Sequence, residues 1–145
     1  MRNFDAIVIG SGQAGASLTA RLTGAGMSVA FVERAHFGGT CVNDGCIPTK
    51  TLVASAQAAH MARRAGDYGV RIAGSIDVDM KAVKARKDAI SERSRSGVEN
   101  WLRGMHGCTI FWGSARFTGP KQVAVNGEEL TAEKIFINVG GRASA

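Results

Sequence analysis

The sequence predicts an α/β fold, a parallel sheet flanked by helices with a small β-meander attached. Three observations predict it. Residues 4 to 9, Phe-Asp-Ala-Ile-Val-Ile, and 134 to 139, Lys-Ile-Phe-Ile-Asn-Val, are short runs rich in β-branched residues, the pattern of strands buried on both faces of a parallel sheet. Between them lie alanine-rich and charged stretches with helical periodicity. From Cys108 the texture turns to short strands separated by Gly119-Pro120 and Asn126-Gly127, which are turn and hairpin signals.

The 145 residues amount to one domain, and an apolar content of 45% is enough for a core. The expected organisation is a single unit over 1–145 with no second domain. No apolar run approaches the roughly 18 residues of a membrane span. Met1-Arg2-Asn3-Phe4 leads straight into a strand and leaves no room for a secretory signal, so the expected location is cytoplasmic. The net charge of +6 suits either nucleic acid or anionic cofactors. The basic residues are dispersed among Asp88 and Glu92, and the nine aromatic residues form no basic-aromatic patch, which argues against nucleic acid.

Taken in order, the first strand runs directly into Gly10-Ser11-Gly12-Gln13-Ala14-Gly15, a G-x-G-x-x-G. Ala16 to Ala25 then reads as a helix with Leu18, Leu22 and Ala25 on one face, ended by Gly26. Ser28-Val29-Ala30-Phe31-Val32-Glu33 is a second buried strand, closing on an acid about twenty residues past the turn. In this strand–turn–helix–strand context the motif reads as Rossmann-like and dinucleotide-binding. Gly10 allows the turn, Gly12 lets a pyrophosphate approach the backbone, Gly15 lets helix and strand pack, and Glu33 can accept from ribose hydroxyls. The helix N-terminus offers free N–H groups to the phosphates.

Phe37-Gly38-Gly39-Thr40-Cys41-Val42-Asn43-Asp44-Gly45-Cys46-Ile47-Pro48-Thr49-Lys50 follows. Two cysteines with Asn43 and Gly45 between them for flexibility can bring their sulfurs together. Pro48 fits the first turn of a helix, which puts Cys46 at the N-terminal, thiolate-favouring end. Lys50, at i+4 from Cys46, adds a second positive influence. The pair reads as a redox-active disulfide. A structural bridge suits a cysteine-dense secreted chain better than one with three cysteines. A zinc site would need further ligands, and His36 and His60 form no zinc-type doublet with a cysteine.

Thr51 to Arg64 reads as a helix with Leu52, Val53, Ala56, Ala59 and His60 available for one face. Asp67 to Ile72 reads as an extended connector. Val78 to Arg103 reads as a second long helix, with Met80, Val83, Ile90 and Trp101 as its buried stripe. His60 is expected to be structural, and Cys108 a small buried apolar residue. Strands are expected at 109–113, 115–118, 122–125 and, after a return beginning at Leu130, 134–139. Gly140-Gly141 ends the last one, where a ligand can approach the backbone.

A dinucleotide site close to a redox cysteine pair poses a chemical question, because a nicotinamide delivers a hydride whereas a disulfide takes two electrons through a thiolate. A flavin connects the two. The dinucleotide is therefore expected to be FAD rather than NAD, with Cys46 against the flavin and Cys41 as the outer thiol that attacks the substrate.

The run Asp5 to Gly12 together with Gly38 to Lys50 resembles the class I pyridine nucleotide-disulfide oxidoreductases, among them dihydrolipoamide dehydrogenase, glutathione reductase and mercuric reductase. Thr49 to Ala56, Ala59-His60 and Tyr68-Gly69-Val70 are most similar to mercuric reductase-like members. The resemblance implies that Glu33 holds the adenosine ribose, that Thr40 and Lys50 contact the flavin, and that Gly39 is a cofactor-binding position beside them. It also implies that the backbone near Ala115 touches the adenine end and that Gly140 occupies a glycine position at the strand end. Family members continue into an NAD(P)H domain, the rest of the FAD domain and a dimerisation domain with a histidine-glutamate pair. NAD(P)H, homodimerisation and turnover are thus expected through sequence outside this chain, with Hg(II) or a disulfide as substrate. Asp44 departs from the family, which carries a small or apolar residue there, and an unpaired carboxylate would raise the thiols' pKa. The alternative is a non-catalytic dinucleotide-binding module whose cysteine pair is a redox sensor or a structural bridge.

Overall fold

The computed structural model describes residues 1–141. Its elements run β1 (Arg2–Ile9), α1 (Gln13–Gly24), β2 (Val29–Glu33), α2 (Gly39–Asn43), α3 (Cys46–Arg63), a 3-10 turn (Ala65–Tyr68), α4 (Met80–Arg103), β3 (Cys108–Trp112), β4 (Ala115–Gly119), β5 (Gln122–Val125) and β6 (Glu128–Ile137). The strand order is β3-β2-β1-β6-β5-β4. The four strands from β3 to β6 are parallel, whereas β5 pairs antiparallel with β6 and β4 antiparallel with β5.

The outermost strands of this order, β3 and β4, are joined by only Gly113 and Ser114. The sheet therefore folds back on itself. The Asn126 amide, at the β5–β6 turn, donates to the Trp112 carbonyl at 2.6 Å and closes the seam. The core follows this layering. Ile7, Ile9, Val32 and Phe111 of the parallel strands pack against Val123, Val125 and Leu130 of the meander. On the other face Ala6, Val8, Val29 and Phe31 pack with Ala16, Phe37, Val98 and Leu102 from the helical side. Strands covered on both faces need apolar side chains of both parities, which is why β2 is buried at every position.

The return strand and the final strand expected from the sequence are one. β6 pairs with β5 through its first half and with β1 along its length. Its last turns are not buried. Ile137 and Val139 are more than 60% exposed, because the ladder with β5 stops at Thr131 and β6 beyond it has a partner on one side only among the described residues.

The helices also depart from their expected faces. In α4 the buried line passes through Ser91, Val98 and Leu102, spaced seven and four, while Met80 and Trp101 are exposed. Met80 is the first residue of the helix, before the packed region, and Trp101 lies about 100° around the helix from Leu102. In α3 only Pro48 and Thr51 are buried, and Leu52 and Val53 are exposed. That helix rests on α4 and α2 rather than on the sheet, so little of its circumference is covered. Ala25 is exposed as well. Residues 65–68 form a 3-10 turn closed by left-handed Gly69 rather than an extended connector.

Candidate functional site

At the carboxyl ends of β1, β2 and β6 the glycine turn and the cysteine segment enclose a cleft of about 1110 Å³. Gly10 sits at φ +101°, and a Cβ there would lie 2.2 Å from the Asn138 carbonyl oxygen. Asn138 donates its backbone N–H to Ile9 and its side-chain amide to the Gly10 carbonyl, so the ends of β1 and β6 are locked together beneath the cleft. A Cβ on Gly15 would meet the Gly10 carbonyl oxygen, the close packing of helix on strand expected of it, whereas a Cβ on Gly12 would meet only the Asn138 side-chain amide nitrogen, at 3.4 Å. Gly39, at φ +59°, passes so near that its Cβ would lie 2.7 Å from the Gly12 Cα. Glycine turn and cysteine segment are thus in backbone contact, which a side chain at Gly39 would not allow.

Glu33 ends β2 buried under this contact. One carboxylate oxygen accepts from the Ser11 N–H and hydroxyl, at 2.9 and 2.5 Å, and the other from the N–H groups of Arg34 and Ala35, both at 2.8 Å. Ser11, itself buried, also accepts from the Gly38 N–H. Phe37 is held between Phe31 and Trp112, with ring centroids 6.4 and 4.9 Å away, and fixes where the chain turns into Gly38.

The cysteine segment is not the flexible loop its Asn43 and Gly45 predicted. Residues 39–43 form the one-turn helix α2, and the Asn43 amide donates to the carbonyls of Phe37 and Gly39 at 3.0 and 2.9 Å. Cys46 begins α3, as Pro48 implied. Both cysteines are free thiols. Cys41 is held above the ordinary thiol range chiefly by its hydrogen bond with Cys46, then by desolvation and the charge of Cys46, with Lys50 pulling the other way. Asp44 is not among these principal influences. It is exposed on the rim of the cleft and has no side-chain hydrogen bond or ion pair among the described residues.

Of the residues singled out from the sequence, Gly10, Gly12, Glu33, Gly39, Thr40, Cys41, Ala115 and Gly140 line the cleft. Gly15 lies beneath it, while Cys46 and Lys50 stand outside its lining, exposed at the start of α3. His60 is exposed in the last turn of α3. Cys108 packs on the helical side of the core, where burial pushes its thiol up to about 11. No group of three histidine, cysteine or acidic side chains suited to a metal occurs among the described residues. No described helix is long and apolar enough to cross a membrane. Sequence reasoning missed Ser11 and Asn138, whose roles depend on partners 22 to 128 residues away.

The match to a family model decides the affiliation: the pyridine nucleotide-disulphide oxidoreductase model covers residues 4–145. The chain belongs to that family. Curated relatives include the dihydrolipoyl dehydrogenase of Rhizobium etli, 41% identical over 85% of this chain and 25% of the relative. A mercuric reductase of Bacillus cereus is 33% identical over 99% of this chain and 22% of its own length. Among solved structures, the Cu(II) complex of the HOCl-induced flavoprotein disulfide reductase RclA from Escherichia coli superposes with a TM-score of 0.83 at 32% identity. That match takes in 100% of this chain and 30% of RclA. The chain therefore spans between about a fifth and a third of these pyridine nucleotide-disulphide oxidoreductases. The family expected from the cysteine and glycine motifs, and the α/β architecture expected with it, both hold.

Proposed function

We propose that this chain is the FAD-binding, disulfide-bearing segment of a flavoprotein oxidoreductase, in which electrons pass from NAD(P)H through FAD to Cys41 and Cys46 and on to a substrate such as a disulfide or Hg(II). The observation that carries the proposal is the backbone contact of Gly12 with Gly39. It sets the dinucleotide turn and the segment that carries Cys41 along one cleft. The group's fit rests on that cleft: backbone is bare where glycines replace side chains, and the N-terminus of α1 opens onto it.

In this reading the N–H groups at the start of α1 hold the pyrophosphate and Glu33 receives the ribose hydroxyls in exchange for the Ser11 hydroxyl. Ala115 lies against the adenine end, and Gly39, Thr40, Lys50 and Gly140 border the rest of the cofactor. When bound, the flavin supplies two-electron transfer between a nicotinamide hydride and the sulfur pair. Cys46 is the sulfur beside it and Cys41 the exchanging thiol. The base that would take the proton from Cys41, the NAD(P)H site and the dimer contacts belong to sequence outside this chain, and the isolated chain is expected to bind without turning over.

The test is a competition of cofactors. Calorimetric titration should give binding of FAD to the purified chain and weaker or no binding of NAD⁺, with FAD binding abolished in Gly39→Val. Binding of NAD⁺ in preference to FAD would overturn the proposal.

A further inference from the structure

Asn43 is the last residue of α2, midway between the two cysteines. Its side chain is in contact with a residue 52 positions later: Arg95 of α4 donates from Nε to the Asn43 Oδ1 at 2.9 Å. The opposite end of the same amide donates to the carbonyls of Phe37 and Gly39. Those two carbonyls flank the left-handed glycines Gly38 and Gly39, the turn that delivers α2 to the Gly12 backbone.

The chemistry of the three partners leaves the amide one orientation. A guanidinium only donates and carbonyls only accept. With Arg95 in place, turning the amide over would set its NH₂ group against the guanidinium and its oxygen against two carbonyl oxygens. Without Arg95, only the carbonyl side would select. Arg95 is itself held by Glu92, whose Oε2 lies 2.9 Å from Nη1, and its side chain is 29% exposed. A second arginine of the same helix, Arg86, ties α4 to α3 by donating to the Thr51 carbonyl and the Ser55 hydroxyl at 3.0 and 3.2 Å. Helix α4 thus grips the element carrying Cys41 and the element carrying Cys46 through separate arginines.

We infer that Arg95 is a positioning residue for the cysteine pair: by fixing the Asn43 amide it pins α2 against the start of α3 and so sets how readily Cys41 and Cys46 close into a disulfide. The inference rests on the reading of these cysteines as a redox couple. Closing the bond joins the two sulfurs and releases two protons and two electrons, which glutathione disulfide takes up to give two glutathione molecules. The equilibrium constant of that exchange measures how well the two thiols are held for each other.

The experiment equilibrates the full chain and its variants in glutathione buffers, traps free thiols by alkylation and weighs the peptide that contains Cys41 and Cys46. Arg95→Met should lower the constant about tenfold, equivalent to a rise of about 30 mV in the potential of the pair. Arg95→Lys, which still donates to Oδ1, should restore most of it. Asn43→Asp, which keeps an acceptor for Arg95 but loses both donors, should fail as Arg95→Met does. Thermal melts by circular dichroism on the same samples separate positioning from folding. A parent chain that cycles while Arg95→Met gives the same constant overturns the inference alone. So does a loss that Arg95→Lys shares in full. A parent whose two thiols never exchange with glutathione overturns the redox reading, and the inference with it.

Discussion

The pKa of Cys41 is held up chiefly by Cys46, and removing that partner should lower it. In Cys46→Ala the main influence raising the Cys41 pKa disappears and Lys50, which lowers it, remains. The rate of Cys41 alkylation against pH should therefore shift to lower pH. Lys50→Met should shift it the other way. Cys108 makes the opposite kind of prediction, about stability. Its thiol is raised from 9.0 to about 11 by desolvation, so the unfolded chain ionises first. Its contribution is complete below pH 9 and is lost as pH rises toward 11. Denaturant titrations should show a decline over that window that Cys108→Ala flattens. Much at this scale was legible, because a glycine at a positive φ or a cysteine at a helix start announces itself locally. Ser11, Asn138 and Arg95 did not. Their roles come from hydrogen bonds to distant segments, which leave no periodic trace in the sequence.

Among the elements, α4 shows where pattern and packing part. Its start is set locally: Asp79 accepts from the N–H groups of Lys81 and Ala82 at 2.9 and 3.0 Å. Asp79→Ala should cost about 1 kcal/mol in chemical denaturation. The existence of the helix was legible, but its buried face was displaced from the expected one. The residues that settle the face include a serine, Ser91, invisible to any hydrophobic reading. β6 carries the same lesson. Glu133-Lys134 divides the apolar runs of that segment and reads as an interruption. In the fold these residues continue one strand, since the pairing with β1 runs past them.

For the molecule as a whole, the fold-back of the meander is the feature that sequence could least supply. Neighbouring strands β3 and β4 look like a hairpin from their two-residue spacing, yet they end at opposite ends of the strand order. What drives them apart is burial of Val123, Val125 and Leu130 on the open face of the parallel sheet. Leu130 is fully buried at that seam. Leu130→Ala should cost about 2–5 kcal/mol in denaturant unfolding. It should also loosen the Ala115 side of the cleft. The apolar side chains left exposed on α3 and at the end of β6 belong to a chain that spans between about a fifth and a third of its relatives. In the proposed function a flavin bound in the cleft exchanges electrons with the Cys41 and Cys46 pair. Thiols are counted in the air-oxidised, FAD-loaded chain before and after dithiothreitol, with the alkylated residues mapped by mass. A gain of two thiols, at Cys41 and Cys46 and not at Cys108, is expected; an unchanged count would rule out a redox pair at this cleft.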